Sequence, residues 1–355
     1  MGRLANLIGV IKDKVSQSKA AIISKPKTLS LHLALLRATN HDLSTPPNQK
    51  HLTTLLSFGH SSRATASAVI EALMDRLQTT HDASVAIKCL ITVHHIIKCG
   101  SFILQDQLSV YPSTGGRNYL KLSNFRDNST PLTWELSSWV RWYALYLEHL
   151  LSTSRVLGFF LCSTSSSVEK DKEEEKVAAL MNGDLLREID SLVGLLEEMC
   201  KRPDHLHVLG NTLVDDVMGL VGEDYLSAVN ELSIRIKEFR ERLSCMSLSD
   251  SVMLVCAFKR LENGKEKLSA LSSRKRVLIE TFWGLIGDLK DKVGKEKMYR
   301  EEEMIVSIRR RERKSESARF EDRVTRYGDS VRFSSARFGL NNFPFLLLDS
   351  VKSCA

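Results

Sequence analysis

Residues 86–100 read AIKCLITVHHIIKCG, and the spacing of their apolar side chains indicates the fold class. Apolar residues recur at intervals of four, three and four, at Ala86, Leu90, Val93 and Ile97. Such intervals mark one face of an α-helix. Isoleucines also occupy its other faces, so we predict a helix that is buried on most sides and ends at Gly100.

The same helical spacing continues on both sides of this helix. It predicts the buried faces of six further helices: Leu29, Leu33 and Leu36; Leu52, Leu55 and Leu56; Ala66, Val69, Leu73 and Leu77; Leu136, Tyr143, Leu147 and Leu150; Leu185, Ile189, Leu192 and Leu196; Leu226, Val229, Leu232 and Ile236. No stretch alternates with a period of two for long, which argues against β-strands. We therefore predict an all-α protein of antiparallel helices joined by short loops.

The composition is that of a soluble globular protein. The chain has 355 residues, of which 43% are hydrophobic and 26% charged, enough for one large domain or two ordinary ones. Its seven cysteines are odd in number and form no CxxC pair, which predicts reduced thiols in the core. No apolar run approaches the roughly 20 residues that span a bilayer, so we expect any membrane contact to be peripheral.

A change of composition divides the chain. Residues 163–176 read STSSSVEKDKEEEK and lack an apolar face, which is typical of a solvated loop. After Glu301 the sequence becomes a mixture of charged and small residues that is typical of disorder. We predict a helical stack over 1–160, a loop over 161–178, further helices over 179–298 and a disordered tail over 299–355.

The sequence lacks two common enzyme motifs. No GxSxG and no glycine-rich phosphate loop before a helix occurs. His94, His95 and Cys99 share one predicted helix but supply too few ligands for a metal site. We therefore predict no catalytic residues, no metal and no cofactor. Trp139, Trp142 and Tyr143 are expected in the core rather than in a base-stacking groove, so no nucleic-acid partner is predicted.

Positive charge is concentrated at the N-terminus. Residues 1–50 contain eight lysines and arginines against two acidic residues, whereas the whole chain carries a formal net charge of +7. A basic end on a nearly neutral body favours a polyanionic partner, such as phosphate, nucleic acid or an acidic membrane. An ordinary solvated terminus is the alternative.

Residues 118–147 read NYLKLSNFRDNSTPLTWELSSWVRWYALYL and carry a more specific signal. They resemble the signature of the ANTH domain of clathrin assembly proteins, in which an LSNFRD-type loop leads into a W-x4-WVRxYA helix. Upstream, RATNHDLSTPPNQKHL resembles the phosphoinositide segment of that family, and residues 86–100 resemble its central helix. The chain is most similar to the short plant members, which have a brief C-terminal tail.

The resemblance implies a fold and a function. The fold is a right-handed superhelical stack of antiparallel helices, as in ENTH, ANTH and VHS domains, with a helical extension and a disordered tail. The function is that of a non-enzymatic, cytoplasmic, peripheral membrane adaptor that binds phosphatidylinositol 4,5-bisphosphate and promotes clathrin coat assembly and cargo sorting in endocytosis. Implied partners are the clathrin heavy chain, adaptor complexes and a vesicle SNARE. Implied locations are plasma-membrane clathrin-coated pits, coated vesicles and the Golgi or trans-Golgi network. The alternative is a helical peptide-binding domain that acts without membrane.

The segment around Pro46-Pro47 is the predicted lipid site. Arg37 should close one helix, and Lys50 and His51 should open the next, with Thr45 as its N-cap residue. The dipole and free N–H groups of a helix start favour anions, and a lysine and a protonatable histidine add charge. An ordinary solvated helix start is the alternative.

Against the family's motif, Arg37 matches the first basic residue and Lys50-His51 match its end. Asn48 and Gln49 stand where two lysines often occur, so the resemblance implies weaker lipid binding than a full motif would give. Accessory basic residues that can attract an anionic surface are Lys12, Lys14, Lys25 and Lys27.

Two other segments complete the sequence-based predictions. Phe345-Leu346-Leu347-Leu348-Asp349 resembles a clathrin box with phenylalanine in place of the usual leucine, and a chance apolar terminus is the alternative. Two Ser-Ala-Arg-Phe units, at 317–320 and 335–338, are secondary candidates for a coat or cargo contact. In the SNFRD loop, Arg126 and Asp127 are interpreted as structural, because they can bond loop carbonyls and close turns.

Overall fold

The computed structural model describes residues 2–24, 26–60, 62–112, 119–161, 174–203, 210–271 and 275–294. The clathrin-box segment, both Ser-Ala-Arg-Phe units and most of the predicted acidic loop lie outside these residues. The division of the chain into four segments therefore stays a prediction.

The regular secondary structure of the described residues is helical, which confirms the all-α class. The longer helices are α1 Gly2–Ile23, α2 Pro26–Ala38, α3 Gln49–Ser57, α4 Arg63–Thr79, α5 Ala83–Cys99, α6 Phe102–Ser109, α7 Pro131–Leu157, α8 Asn182–Cys200, α9 Thr212–Glu241, α10 Leu248–Ser269 and α11 276–294. Residues 174–178 form a further short helical segment. Helix α7 starts with Thr130 as N-cap in a capping box and Pro131 at the first helical position.

Helix α5 lies at the centre of the stack. It contacts α3, α4, α7 and α9, and nearly all its side chains from Ala83 to Ile97 are buried. It ends at Cys99, as predicted, although Gly100 has a φ of −66° rather than a left-handed conformation. Glycine is still favoured there, because a Cβ atom would lie 2.3 Å from the carbonyl oxygen of Ile96.

A buried polar cluster joins α5, α7 and α9. The hydroxyl of Tyr146 donates to Asp224 Oδ2 (2.6 Å), and His94 Nε2 lies 2.7 Å from the same oxygen. His94 Nδ1 lies 2.7 Å from the Tyr143 hydroxyl, and Lys98 Nζ lies 3.2 Å from Asp224 Oδ1. Burial raises the pKa of Asp224, but the positive charges and hydrogen bonds of these neighbours outweigh burial and lower it. In this structure His94 therefore belongs to the polar core.

The predicted buried face of α2 is wrong. Leu29, Leu33 and Leu36 are only half-buried, whereas the fully packed residues are Leu31, Ala34, Leu35 and Ala38. Helix α2 has apolar residues around most of its circumference, so its periodicity does not single out one face. Its packing against α1, α3 and α4 makes that choice.

The prediction of core thiols is also wrong for part of the chain. Cys89 is buried, and burial raises the pKa of its thiol to about 12. Cys99, Cys245 and Cys256 are exposed, because they lie at a helix end, in a short 3-10 turn and on the outer face of α10.

Candidate anion-binding site

The structure brings the three predicted residues of the lipid site together. Arg37 is exposed in the last turn of α2, and exposed Lys50 and half-buried His51 form the first turn of α3. Burial lowers the pKa of His51, and the positive charges of Arg37 and Lys50 lower it further. Both cations therefore lie close enough to the imidazole to act on its protonation.

Helix α3 begins later than the sequence predicts. Its N-cap is Asn48, whose side-chain oxygen accepts from the N–H of Lys50 at 2.9 Å. The Thr45 hydroxyl instead donates to Asp42 Oδ2 at 2.7 Å, which closes the turn before the two prolines. Thr45 is therefore not the N-cap, because its side chain is already bonded to an upstream carboxylate.

Two backbone amides in the first turn of α3 are already hydrogen-bonded within the helix start. The N–H of Lys50 is bonded to the Asn48 side chain, and the N–H of His51 donates to the Asn48 carbonyl at 2.9 Å. These two amides are not free, contrary to the sequence-based argument. The helix dipole still favours negative charge at this end.

Two cationic side chains, Lys88 of α5 and Arg76 of α4, hold the loop over residues 39–48 between α2 and α3. Buried Lys88 of α5 donates to the Asp42 carbonyl oxygen at 2.6 Å and to the Asn40 side chain. Burial lowers the pKa of Lys88 to about 8, although the carboxylates of Asp42, Asp13 and Asp82 oppose this effect. Arg76 of α4 donates to the Thr39 carbonyl oxygen at 2.6 Å.

The same loop is held from its other sides by α1 and α9. Asp13 of α1 lies 2.6 Å from His41 Nδ1 and accepts from the His41 N–H at 3.1 Å. Asn211 and Thr212, at the start of α9, donate to the carbonyl oxygens of Leu43 and Ser44. Four helices besides α2 and α3 therefore set the position of Lys50 and His51 relative to Arg37.

Sequence reasoning missed these anchoring residues. Lys88 gave a signal, because a single lysine in a helix that is apolar on most sides needs a buried partner. Asp13 and Arg76 gave none, since their partners lie 28 and 37 residues away.

Two of the four accessory lysines can be placed. Lys12 and Lys14 are exposed on α1, on either side of Asp13 in the sequence. Lys25 and the side chain of Lys27 lie outside the described residues. Helix α1 also exposes large apolar side chains that the sequence reasoning did not identify: Leu7, Ile8, Val10, Ile11, Val15 and Ile22. None of the helices within the described ranges is long and apolar enough to span a membrane.

In the SNFRD loop, Asp127 has the structural role predicted for it. Its Oδ2 accepts from the N–H of Ala83, the first residue of α5, at 2.9 Å. Arg126 donates to two carbonyl oxygens of its own loop, those of Ser123 (3.3 Å) and Phe125 (2.7 Å), and remains exposed. A further bond between this loop and the helical stack comes from Arg141 of α7, which donates to the Phe125 carbonyl oxygen at 2.9 Å.

Comparison with known proteins identifies a matching domain family and similar sequences. The sequence model of the ANTH domain matches residues 30–271. The chain is 58% identical to the Arabidopsis thaliana protein named "Putative clathrin assembly protein At4g40080", over 95% of this chain and 96% of the relative. It is 35% identical to "Putative clathrin assembly protein At5g10410" of the same plant, over 81% of this chain and 86% of that protein.

Proposed function

Since the chain belongs to the ANTH-domain family of clathrin assembly proteins, we propose that it binds phosphoinositide-bearing membranes and takes part there in clathrin coat assembly. The observation that carries this proposal is the cluster of Arg37, Lys50 and His51 at two helix ends that flank an anchored loop. A multiply phosphorylated inositol headgroup presents several phosphates at short range, which suits two cationic side chains and a protonatable imidazole at two helix ends.

The electrostatics of the cluster support a polyanionic ligand. The charges of Arg37 and Lys50 disfavour a protonated His51 when nothing is bound. A bound phosphate would reverse that effect, because it neutralises the repulsion and favours the imidazolium ion. Asn48 and Gln49 are exposed beside the cluster and carry no charge. We therefore expect moderate affinity for one headgroup, with further attraction supplied by exposed Lys12 and Lys14.

Helix α1 supports a contact with the bilayer itself. Its exposed apolar side chains include Leu7, which is 57% exposed, and Val15, which is 61% exposed. Exposed lysines interrupt this apolar surface at positions 12, 14 and 19. A helix with exposed apolar and basic residues is typical of segments that lie in the membrane interface.

The coat-directed part of the function is assigned to the C-terminal segment. We propose that Phe345, Leu346, Leu348 and Asp349 contact clathrin, with the two Ser-Ala-Arg-Phe units as secondary sites for the coat or adaptor complexes. Several weak motifs on one membrane-bound chain raise the effective concentration of each. Plasma-membrane coated pits and vesicles are the proposed locations, with the Golgi or trans-Golgi network as a second, and a vesicle SNARE is a proposed cargo.

Sedimentation with liposomes tests the lipid-binding proposal. The full-length chain should sediment with phosphatidylinositol 4,5-bisphosphate liposomes and much less with phosphatidylserine liposomes of equal total charge. The double variant Lys50→Glu/His51→Glu should lose this preference and keep the helical signal of the wild type. Lys237→Glu, a charge reversal at an exposed position of α9, is the control and should bind normally. Equal binding to all anionic liposomes would show an electrostatic contact without selectivity for the inositol headgroup. Binding to none of them would favour the alternative of a peptide-binding domain without membrane.

A further inference from the structure

Two arginines converge on one carbonyl oxygen at the start of α7. Arg126 Nη1 and Arg141 Nη1 donate to the Phe125 oxygen at 2.7 and 2.9 Å, so the two guanidinium groups are near neighbours. Burial and then the positive charge of Arg126 lower the pKa of Arg141. Neither arginine forms an ion pair with a carboxylate of the described residues. The pair therefore has excess positive charge, which favours binding of an external anion.

An exposed tryptophan lies on the same helix as Arg141. Trp134, in the first turn of α7, is 53% exposed, whereas Trp139 and Trp142 on that helix are buried. Residues 134 and 141 are seven apart, so they lie on the same face of α7. A tryptophan beside cations suits the boundary between apolar and aqueous regions, because the indole has an apolar body and a polar N–H.

These residues lie at the end of the stack that carries the Arg37–Lys50–His51 cluster. Asp127, next to Arg126, bonds the first residue of α5. Lys88, in the second turn of that helix, holds the loop over residues 39–48 that leads into α3. The starts of α3, α5 and α7 and the end of α2 are thus linked at one end of the molecule. A bilayer that contacts the first cluster faces the same end as the second.

We propose that Arg126, Arg141 and Trp134 form a second lipid contact, in which the arginines bind headgroup phosphates and the indole enters the interfacial region. This contact rests on the proposed membrane-binding function and is separate from the inositol phosphate cluster. Arg126 is the residue that can reorient, because it is exposed and its bonds are only to carbonyls of its own loop. Arg141 is half-buried and holds the site together.

The test compares vesicles with a soluble headgroup, using the full-length chain. The vesicles contain phosphatidylcholine, phosphatidylserine and phosphatidylinositol 4,5-bisphosphate, and the soluble probe is inositol trisphosphate. Arg126→Gln should weaken vesicle binding about fivefold, as expected for one cation near an anionic surface, and leave the affinity for inositol trisphosphate unchanged. Arg126→Lys should restore most of the vesicle binding. Arg155→Gln is the matched control, because Arg155 is an exposed arginine in the last turn of α7 that also donates to a backbone carbonyl.

Tryptophan fluorescence gives a second readout. Vesicle binding should shift the emission of the wild type to shorter wavelength, and Trp134→Phe should abolish most of this shift, whereas Trp283→Phe should keep it. Unchanged vesicle binding by Arg126→Gln, or a shift that survives Trp134→Phe, would overturn the second contact. Equal loss of vesicle and inositol trisphosphate binding by Arg126→Gln would also overturn it, because the residue would then act through the first cluster.

The two proposals can fail separately. Loss of inositol trisphosphate binding in Lys50→Glu, together with the pattern above for Arg126→Gln, supports both sites. If Lys50→Glu binds the soluble headgroup normally while Arg126→Gln loses vesicle binding, the first cluster is misassigned and the second contact stands. If Arg126→Gln binds vesicles like the wild type but loses an acidic protein partner, the surface binds protein and the lipid proposal is wrong.

Discussion

His51 is the residue of the Arg37–Lys50–His51 cluster that titrates near neutral pH. Burial and the adjacent charges of Arg37 and Lys50 lower the pKa of its imidazole below the ordinary value of 6.5. The unliganded ring is therefore mostly neutral at neutral pH. A bound phosphate favours the protonated ring, so the pKa should be higher in the complex than in the free protein.

This difference predicts a pH-dependent affinity. Binding should be strongest below the pKa of the free ring and should weaken as the pH rises through the pKa of the complex. Affinity for the bisphosphate lipid, measured by liposome sedimentation at several pH values, checks this expectation. His51→Gln should lose the histidine contribution and keep only the dependence that comes from titration of the phosphates. An identical pH profile in both proteins would contradict the assignment of His51.

Lys88 stabilises the Arg37–Lys50–His51 cluster indirectly, because it holds the loop that leads into α3. Lys88→Met removes the donor to the Asp42 carbonyl oxygen and to the Asn40 side chain. Loss of the donor to these half-buried acceptors costs about 1–3 kcal/mol. Because the same change removes a buried charge, the free energy of unfolding should fall by no more than that amount. Lipid binding should weaken as well, because the loop that positions Lys50 and His51 loses an anchor. Urea unfolding and liposome sedimentation measure the two effects.

The lowered pKa of Lys88 also predicts a pH effect on stability. Its value is about 8 in the folded protein against 10.5 as the ordinary value. Between these values the unfolded chain binds more protons, so this residue makes stability rise with pH across that window. The free energy of unfolding of the wild type, relative to Lys88→Met, should therefore increase from about pH 8 towards 10.5. A difference that stays constant would show that the lysine pKa is not lowered by burial.

At the scale of elements, α1 and α5 differ in how they use apolar residues. Ile91 of α5 is fully buried, whereas Ile11 of α1 is 54% exposed. Ile91 contributes to the free energy of folding through packing. Ile11 contributes little to it because its side chain stays in contact with solvent, which agrees with the proposal that α1 contacts the bilayer.

One substitution made at both positions separates these roles. Ile91→Ala should lower the free energy of unfolding by about 2–5 kcal/mol, because it leaves a cavity in the core. Ile11→Ala should change it by no more than about 0.5 kcal/mol and should weaken binding to vesicles. A large loss of stability from Ile11→Ala would show that α1 packs against the protein through this face.

At the scale of the whole molecule, the proposed function needs two separate activities in one chain. The described helices carry the lipid-directed residues, and the segment after Glu301 carries the clathrin-box candidate. The matched ANTH region ends at residue 271, so the C-terminal candidate lies outside it.

We predict that the two activities can be separated by mutation. Leu346→Ala/Leu348→Ala in the full-length chain should reduce capture by the clathrin terminal domain and leave liposome binding unchanged. Lys50→Glu/His51→Glu should do the reverse. Pull-down with the terminal domain, alongside sedimentation, measures both. Normal clathrin capture by the leucine variant would place the coat contact elsewhere in the chain.

The all-α class and most of the buried faces follow from local patterns of residues along the chain. The stripe of Ala66, Val69, Leu73 and Leu77 and the central helix around Leu90 are buried as predicted. Helical periodicity is a local property, and in an amphipathic helix it already specifies which side avoids water. Capping is equally local, since Thr130 and Pro131 at the start of α7 are residue types that favour the N-cap and the first helical position.

The assembly of the site depends instead on contacts between helices that are far apart in the chain. The buried face of α2 and the late start of α3 at Gln49 depend on neighbouring helices and on the Asp42–Thr45 bond. Lys88 donates to a carbonyl oxygen 46 residues upstream. Arg126 and Arg141 donate to the same carbonyl oxygen, that of Phe125, and the sequence pattern of neither arginine predicts this shared acceptor. Such contacts join residues far apart in the chain, and their geometry exists only once the helices have packed.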